Sequence, residues 1–294
     1  MLSILIPCFD YNAYPLVCEV EKQALILDLK FEIVCIDDGS FSLKNELNQK
    51  INSIPNAKFL ESKKNLGRIK NRLLLAEMSQ YDCLIYIDVD TTPQNKNFLK
   101  NYIAYIGENS FVFGGRHFDE SSNTKAGALR LKFAKNREEK KAIERTKNPY
   151  KFVCSSNFMA HKAAVLEALN QIDNRSYGND YIFGAILKSQ SMAVIHIDNP
   201  VIVNESEDNE VFIEKTKNAL SNLFENYKKN KIGKHSISIL KAYKLLELFY
   251  LVSIFLKITA FIKGNLEDNL KSKNPNLFLF DLFRLRYLCA LSTD

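Results

Sequence analysis

Four groups of residues in this chain have the types and spacing to do chemistry. Asp88 and Asp90 are separated only by Val89. In an extended chain, positions i and i+2 face the same way, so the two carboxylates would share one side and repel unless a cation lay near them. Hard divalent ions such as Mg2+ or Mn2+ take one or two carboxylates together with phosphate oxygens of a substrate. The plain reading of the same pair is two solvated turn acids. Asp37-Asp38-Gly39-Ser40 has turn composition. It reads either as a turn and helix cap or as carboxylates that accept from a base N–H or ribose hydroxyls. Arg68 and Arg72 stand at i and i+4 where a helical pattern opens, with Lys70 between them. Cations there oppose the helix dipole, and an anionic ligand would offset that cost; a solvated basic face is the alternative. Asp180, in Gly178-Asn179-Asp180, begins a short helix and suits an N-cap, a general base, or both.

The elements that must position these groups follow from hydrophobic period. Apolar runs at 2–6, 32–36, 58–60, 84–87 and 111–113 read as strands, and 13–29, 43–54, 66–78 and 98–106 carry helical-period apolar positions. Such alternation implies βαβ units and a mostly parallel sheet, with helices over both faces. In open sheets of this kind, ligands bind beyond the carboxyl ends of the strands. Pro7 and Phe9 follow the first predicted strand, Asp37 and Asp38 the second, and Asp88 and Asp90 the fourth. After residue 115 the alternation stops. Residues 125–151 hold ten Lys or Arg against three Glu and read as an exposed, partly helical segment. A sheet-like stretch at 152–160 follows, then helices at 162–169 and 180–188. Strands at 192–197 and 201–203 and an amphipathic helix at 210–229 complete this region.

Several reaction classes are disfavoured. No Walker A sequence is present, and no G-x-G-x-x-G follows the first strand. No G-x-S-x-G occurs, and His117, His161, His196 and His235 have no zinc-ligand spacing. The six cysteines are scattered without a C-x-x-C pair, which suggests reduced thiols and a cytoplasmic chain.

In order and spacing, the motifs together resemble the family 2 glycosyltransferases of GT-A fold. The likeness runs from Ser3 to about Phe224. It rests on Ser3-Ile-Leu-Ile-Pro7, Glu32-Ile-Val-Cys-Ile-Asp-Asp-Gly-Ser40, Asn65-Leu-Gly-Arg68, Ile85-Tyr-Ile-Asp-Val-Asp90, Ser156-Asn157-Phe158 and Gly178-Asn-Asp180. The resemblance implies an α/β GT-A fold whose sheet edge binds a nucleotide-sugar. Pro7 and Phe9 would then line the nucleoside site. Asp38, with Asp37, would contact the base, most often uracil. Arg68 and Arg72 would flank the nucleotide. Asp88 and Asp90 would place Mg2+ or Mn2+ on the diphosphate, Asp90 as the direct ligand. Gly114, Gly115, Asn157 and Asn179 would lie by the donor sugar or acceptor, and Asp180 would be the base of an inverting displacement. The implied acceptor is a saccharide or lipid-linked sugar, in cell-surface polysaccharide or glycolipid synthesis. The competing readings are an inactive transferase-like scaffold and a sugar-phosphate nucleotidyltransferase. The latter usually has a Gly-rich loop after the first strand, where Pro7–Tyr14 has no glycine.

Three positions depart from the family pattern. Asn179 stands where many relatives carry Glu, and Asp10 where Asn is commoner. Asn204 stands where relatives often place a metal-binding His, so a third protein ligand is in question; His196 is the candidate substitute.

The 294 residues carry 40 basic and 34 acidic side chains, a net charge of +6. Residues 1–227 are nearly neutral, with 28 basic and 29 acidic; residues 228–294 hold 12 and 5. The chain accordingly divides into a catalytic domain, 1–227, and a basic helical extension, 228–294. Lys228, Lys229, Lys231, Lys234, Lys241 and Lys244 precede a very apolar segment at 245–262. Its longest uncharged run, 248–256, is far short of the ~20 residues that span a bilayer. The pattern suits peripheral contact with an anionic membrane at its inner face. Packing on the domain or forming a homodimer would also bury it. The tail's aromatics lie within apolar runs rather than between cations, which argues against nucleic acid.

Overall fold

The computed structural model describes residues 1–119, 127–172, 177–203, 207–233 and 235–293. Asn204, Lys125 and Lys234 lie outside them. The strands are β1 (Leu2–Cys8), β2 (Phe31–Asp37), β3 (Ala57–Glu61), β4 (Cys83–Ile87), β5 (Thr91–Pro93), β6 (Ser110–Phe113), β7 (Arg116–Phe118), β8 (Asn157–His161), β9 (Ala193–His196) and β10 (Val201–Val203). The first helices are α1 (Tyr14–Leu25), α2 (Asn45–Asn48), α3 (Arg68–Met78), α4 (Phe98–Ile103), α5 (Ala128–Phe133), α6 (Ala142–Thr146) and α7 (Lys162–Leu169). Then come α8 (Asn179–Ser189), α9 (Asn209–Lys228), α10 (Ser238–Leu248), α11 (Val252–Ala260), α12 (Lys263–Lys271) and α13 (Leu277–Ala290).

Seven strands form one sheet in the order β3-β2-β1-β4-β8-β6-β9. Its pairs are parallel except where β8 runs antiparallel to both neighbours. A small second sheet, β5-β10-β7, was not visible as a sheet in the sequence because its strands have only three residues each. The long strands are apolar throughout because both faces are covered. Ile4, Ile33 and Ile85 enter one hydrophobic cluster with α1 and α4, whereas Leu5, Val34 and Leu84 point into the other with α3 and α7. The central strand ends are therefore held rigidly from both sides, which is what a precise site at their tips needs.

The C-terminal helices pack on the rest of the chain. Phe280 and Phe283 of α13 join Leu129, Phe212 and Ile213 in one buried cluster; Leu240, Tyr243 and Leu288 join Leu220 and Leu223 in another. The apolar segment at 237–262 is two helices, not one. Tyr250 has φ +57°, its N–H donates to the Glu247 carbonyl, and the Leu251 N–H reaches back to the Leu246 carbonyl at 2.8 Å. This is a Schellman stop with tyrosine where glycine usually stands, so no sequence signal announced it.

Candidate active site

Asp88 directly follows β4. Its carbonyl accepts from the Thr91 N–H at 3.1 Å and the Thr91 hydroxyl at 2.7 Å. Residues 88–91 are thus a turn, and the extended-chain argument for Asp88 and Asp90 does not apply. Both nonetheless line one cavity of about 230 Å3. Arg68, Arg72, Asn179 and Asp180 line it too. The basic residues of α3 divide: Arg68 and Lys70 are exposed, whereas Arg72 is 5% exposed and ion-paired with the Asp88 carboxylate. The Tyr86 hydroxyl donates to the Arg72 carbonyl at 2.7 Å and fixes this turn of α3 against β4. The Arg68 guanidinium stacks over Tyr177, 5.5 Å from its ring centre.

The acids after β2 are turned onto their own loops. Asp37 is fully buried and accepts from the Ser40 N–H and hydroxyl at 2.8 and 2.7 Å. Asp38 accepts from the Leu66 and Gly67 N–H groups, each at 2.8 Å, and so anchors the loop before α3. Burial pushes the Asp38 carboxyl above its ordinary range, against the pull of those two donors. The base contact expected of this pair is not the role their hydrogen bonds display. Pro7 lies half-buried in β1, Phe9 is 55% exposed, and neither lines the cavity.

Asn157 and Gly114 are not among the residues that line this cavity. Asn157 is fully buried; it accepts from the Tyr102 hydroxyl at 2.6 Å and donates to the Gly115 and Asn199 carbonyls. A Cβ on Gly114 would meet the Asn199 carbonyl oxygen at 2.3 Å, which is why glycine stands there. At their centre is Arg145, 2% exposed, from the segment expected to be solvated. Its guanidinium donates to the carbonyls of Phe113, Gly114, Ile197 and Lys140 and to His196 Nδ1. His196 donates from Nε2 to the Pro149 carbonyl, and burial lowers its pKa to about 4. Both ring nitrogens are engaged, so His196 cannot serve as a metal ligand. Replacing Arg145 by Met would orphan several buried carbonyls at about 1–3 kcal/mol each. Urea unfolding is expected to register a loss of at least about 3 kcal/mol.

Asp180 sits in the first turn of α8. Gly178 precedes it at φ +87°, and a Cβ there would lie 2.6 Å from Ala219 Cβ, so only glycine lets α8 start this close to α9. The carboxylate accepts from Arg116 Nη2 at 2.6 Å and from the Ser155 N–H at 3.2 Å. Arg116 is the functional side chain that sequence reasoning missed; only its place after Gly114-Gly115 marked it. It also donates from Nε to Cys154 and Ser156, and lies 3.6 Å from Glu138. Burial alone would push the Asp180 carboxyl up, but Arg116 and the Ser155 donors together hold it below the ordinary range. A base form stable to low pH gives activity that falls only when pH drops through that lowered pKa. In Arg116→Gln, burial is less opposed, so the acid limb of kcat against pH should move to higher pH. An unmoved limb would remove Arg116 from control of Asp180.

Among the described residues, no group of three or more His, Cys, Asp or Glu side chains is arranged to hold a metal. Asp88 and Asp90 are two carboxylates on one wall of the cavity. That donor set fits Mg2+ or Mn2+ arriving with a diphosphate, which supplies the remaining oxygens, better than a cation caged by protein alone.

The sequence profile of glycosyl transferase family 2 matches residues 3–169. The chain belongs to glycosyl transferase family 2. This family 2 glycosyltransferase also shares its GT-A fold with solved enzymes of low sequence identity. The mannosyltransferase PcManGT of Pyrobaculum calidifontis, solved with GDP-Man and Mn2+, is 13% identical at TM-score 0.54, covering 80% of this chain and 65% of its own. S. aureus TarS 1–349 is 15% identical at TM-score 0.51, over 99% and 91% of the two chains. Glucosyl-3-phosphoglycerate synthase of Mycobacterium tuberculosis, solved with Mn2+, UDP and phosphoglyceric acid, is 14% identical at TM-score 0.51, over 76% and 78%. The glycosyltransferase spans just under two thirds of PcManGT. No curated protein matches it in sequence.

Proposed function

We propose that this glycosyltransferase moves a sugar from a nucleoside-diphosphate donor, UDP-linked by preference, to an acceptor hydroxyl with inversion. The observation that carries the reading is the shared cavity, which puts Asp88 and Asp90, Arg68 and Asp180 around one space. Structural neighbours bound to GDP-Man, to UDP and to UDP-GlcNAc support a nucleotide-sugar at this sheet edge. A divalent cation bound by Asp90 and Asp88 would neutralise charge on the departing diphosphate. Arg72, by pairing with Asp88, fixes that carboxylate; Arg68 contributes positive charge beside the nucleotide. Asp180 takes the proton of the acceptor hydroxyl as its oxygen bonds to the anomeric carbon. The bond from that carbon to the diphosphate oxygen breaks at the same time, and the electron pair leaves with the nucleotide. One displacement inverts the centre and needs no covalent nucleophile.

The same proposal places the enzyme at the inner face of a membrane, in cell-surface polysaccharide or glycolipid synthesis. Among the described residues, no helix is long and apolar enough to cross a bilayer. Leu248, Phe249, Tyr250, Ile254, Ile258 and Phe261 are exposed on or beside α10 and α11, and no carboxylate occurs from 248 to 263. Lys241, Lys244, Lys257 and Lys263 flank them, the arrangement of a helix lying on anionic lipid. Proton NMR of the first sugar product from α-linked UDP- and GDP-sugars tests the displacement. A β product is expected; an α product would overturn inversion.

A further inference from the structure

A second, larger cavity of about 650 Å3 lies between the 133–154 segment and the C-terminal helices α10 and α13. It meets the first at Asp180, Arg116, Phe133, Glu138, Tyr181 and Arg284, which line both. This sharing matters for an in-line displacement. The leaving diphosphate lies on the Asp88–Asp90 side, so the attacking hydroxyl must come from the opposite side of the anomeric carbon. A base that lines both cavities is placed between them, and the second cavity is the space left for the acceptor.

Its walls specify what that acceptor is. Phe133, Val153, Ile239, Ala242, Phe278 and Leu285 make it largely apolar. Six cations and three carboxylates also line it. Asp281 pairs with Arg137 and Arg284, and Glu138 with Arg116 and Arg130. Lys151 is exposed, its ammonium 5.5 Å from the Phe152 ring centre, and Lys140 reaches a carboxylate only at 4.0 Å. Of the surplus of three, Arg145 is committed to buried carbonyls, and Lys140 and Lys151 carry the rest. The apolar wall also continues outward. Ile239 and Ala242 line the cavity from α10; Leu245, one turn beyond Ala242, and Phe249, just past the helix end, are 58% and 60% exposed. An apolar track therefore runs from the cavity to the exposed face of the helical pair.

We propose that the second cavity is the acceptor site, and that the acceptor is an amphiphile: a hydrocarbon chain bearing a phosphate close to its reacting hydroxyl. The chain lies along the α10 track, the phosphate meets Lys140 and Lys151, and the hydroxyl reaches Asp180. This inference rests on the transferase reading above, since it needs Asp180 as base, but its test is separable. Three probes are titrated into the full chain below their micelle concentrations: dodecyl phosphate, dodecyl maltoside and inorganic phosphate. Dodecyl phosphate is expected to bind at least tenfold more tightly than either of the others. Ala242→Trp, which fills the wall, and Lys151→Glu, an exposed charge reversal, should each weaken it at least tenfold. Binding of nucleoside diphosphate with Mn2+ to both variants should be unchanged, which also verifies their folding. Equal binding of the neutral maltoside, or dodecyl phosphate affinity unaltered by Lys151→Glu, would overturn the proposal while leaving the transferase reading intact. Loss of nucleotide binding by the unmodified chain would instead count against that reading.

Discussion

Exchanging the Asp180 carboxylate for the amide of asparagine should lower kcat by about 10²–10⁴-fold, the range typical of losing a positioned general base. Donor affinity should change little, because the predicted nucleotide contacts lie on α3 and the 88–91 turn, not on α8. Asparagine retains the size of the side chain and an oxygen that can accept from the Ser155 N–H. Arg116 loses its partner on that side but keeps Cys154, Ser156 and Glu138, so the site is not left with an isolated buried cation. Steady-state kinetics separate the possibilities: a fall in kcat with KM for the donor held marks a role in chemistry. Turnover equal to that of the unmodified enzyme would remove Asp180 as the base.

The second large effect is expected at Asp90. Asp88 is ion-paired with Arg72, and Asp90, on the same turn and lining the same cavity, is the acid proposed to bind the cation directly. Asp90→Asn removes a negative charge that would hold the cation on the diphosphate and should reduce kcat/KM by about 10²–10³-fold, as for loss of one preorganised electrostatic group. Raising Mn2+ should recover part of the loss, because the diphosphate still supplies oxygens of its own. The same substitution should leave folding intact, since Asp90 lies in a turn at the cavity wall. An Asp90→Asn enzyme with unaltered metal dependence would contradict this assignment.

The central strands were legible because burial on both faces demands unbroken apolar runs, and 2–6, 32–36 and 84–87 have them. Asp88, Asp90, Arg68, Arg72, Asn179 and Asp180 were legible as a set because strand ends and helix starts at one sheet edge must converge. Their individual partners were not. Arg72 with Asp88, and Arg116 with Asp180, are separated by 16 and 64 residues, and neither spacing has a local signature. Asn157 matched a motif, yet its polarity serves Tyr102 and the Gly115 and Asn199 carbonyls, and Gly114 is small because the Asn199 carbonyl leaves no room for a Cβ. The tail posed the same difficulty. Its period predicted helices, but which face packs depends on Leu129, Phe212 and Leu220, far away in sequence.

Calorimetric titration of UDP and GDP into the full chain, with and without Mn2+, tests the central claim most directly. The account predicts binding of one nucleoside diphosphate that depends on the metal, with that dependence weakened in Asp90→Asn. Nucleotide binding unaffected by metal and by Asp90→Asn, or no binding of either nucleotide, would contradict it.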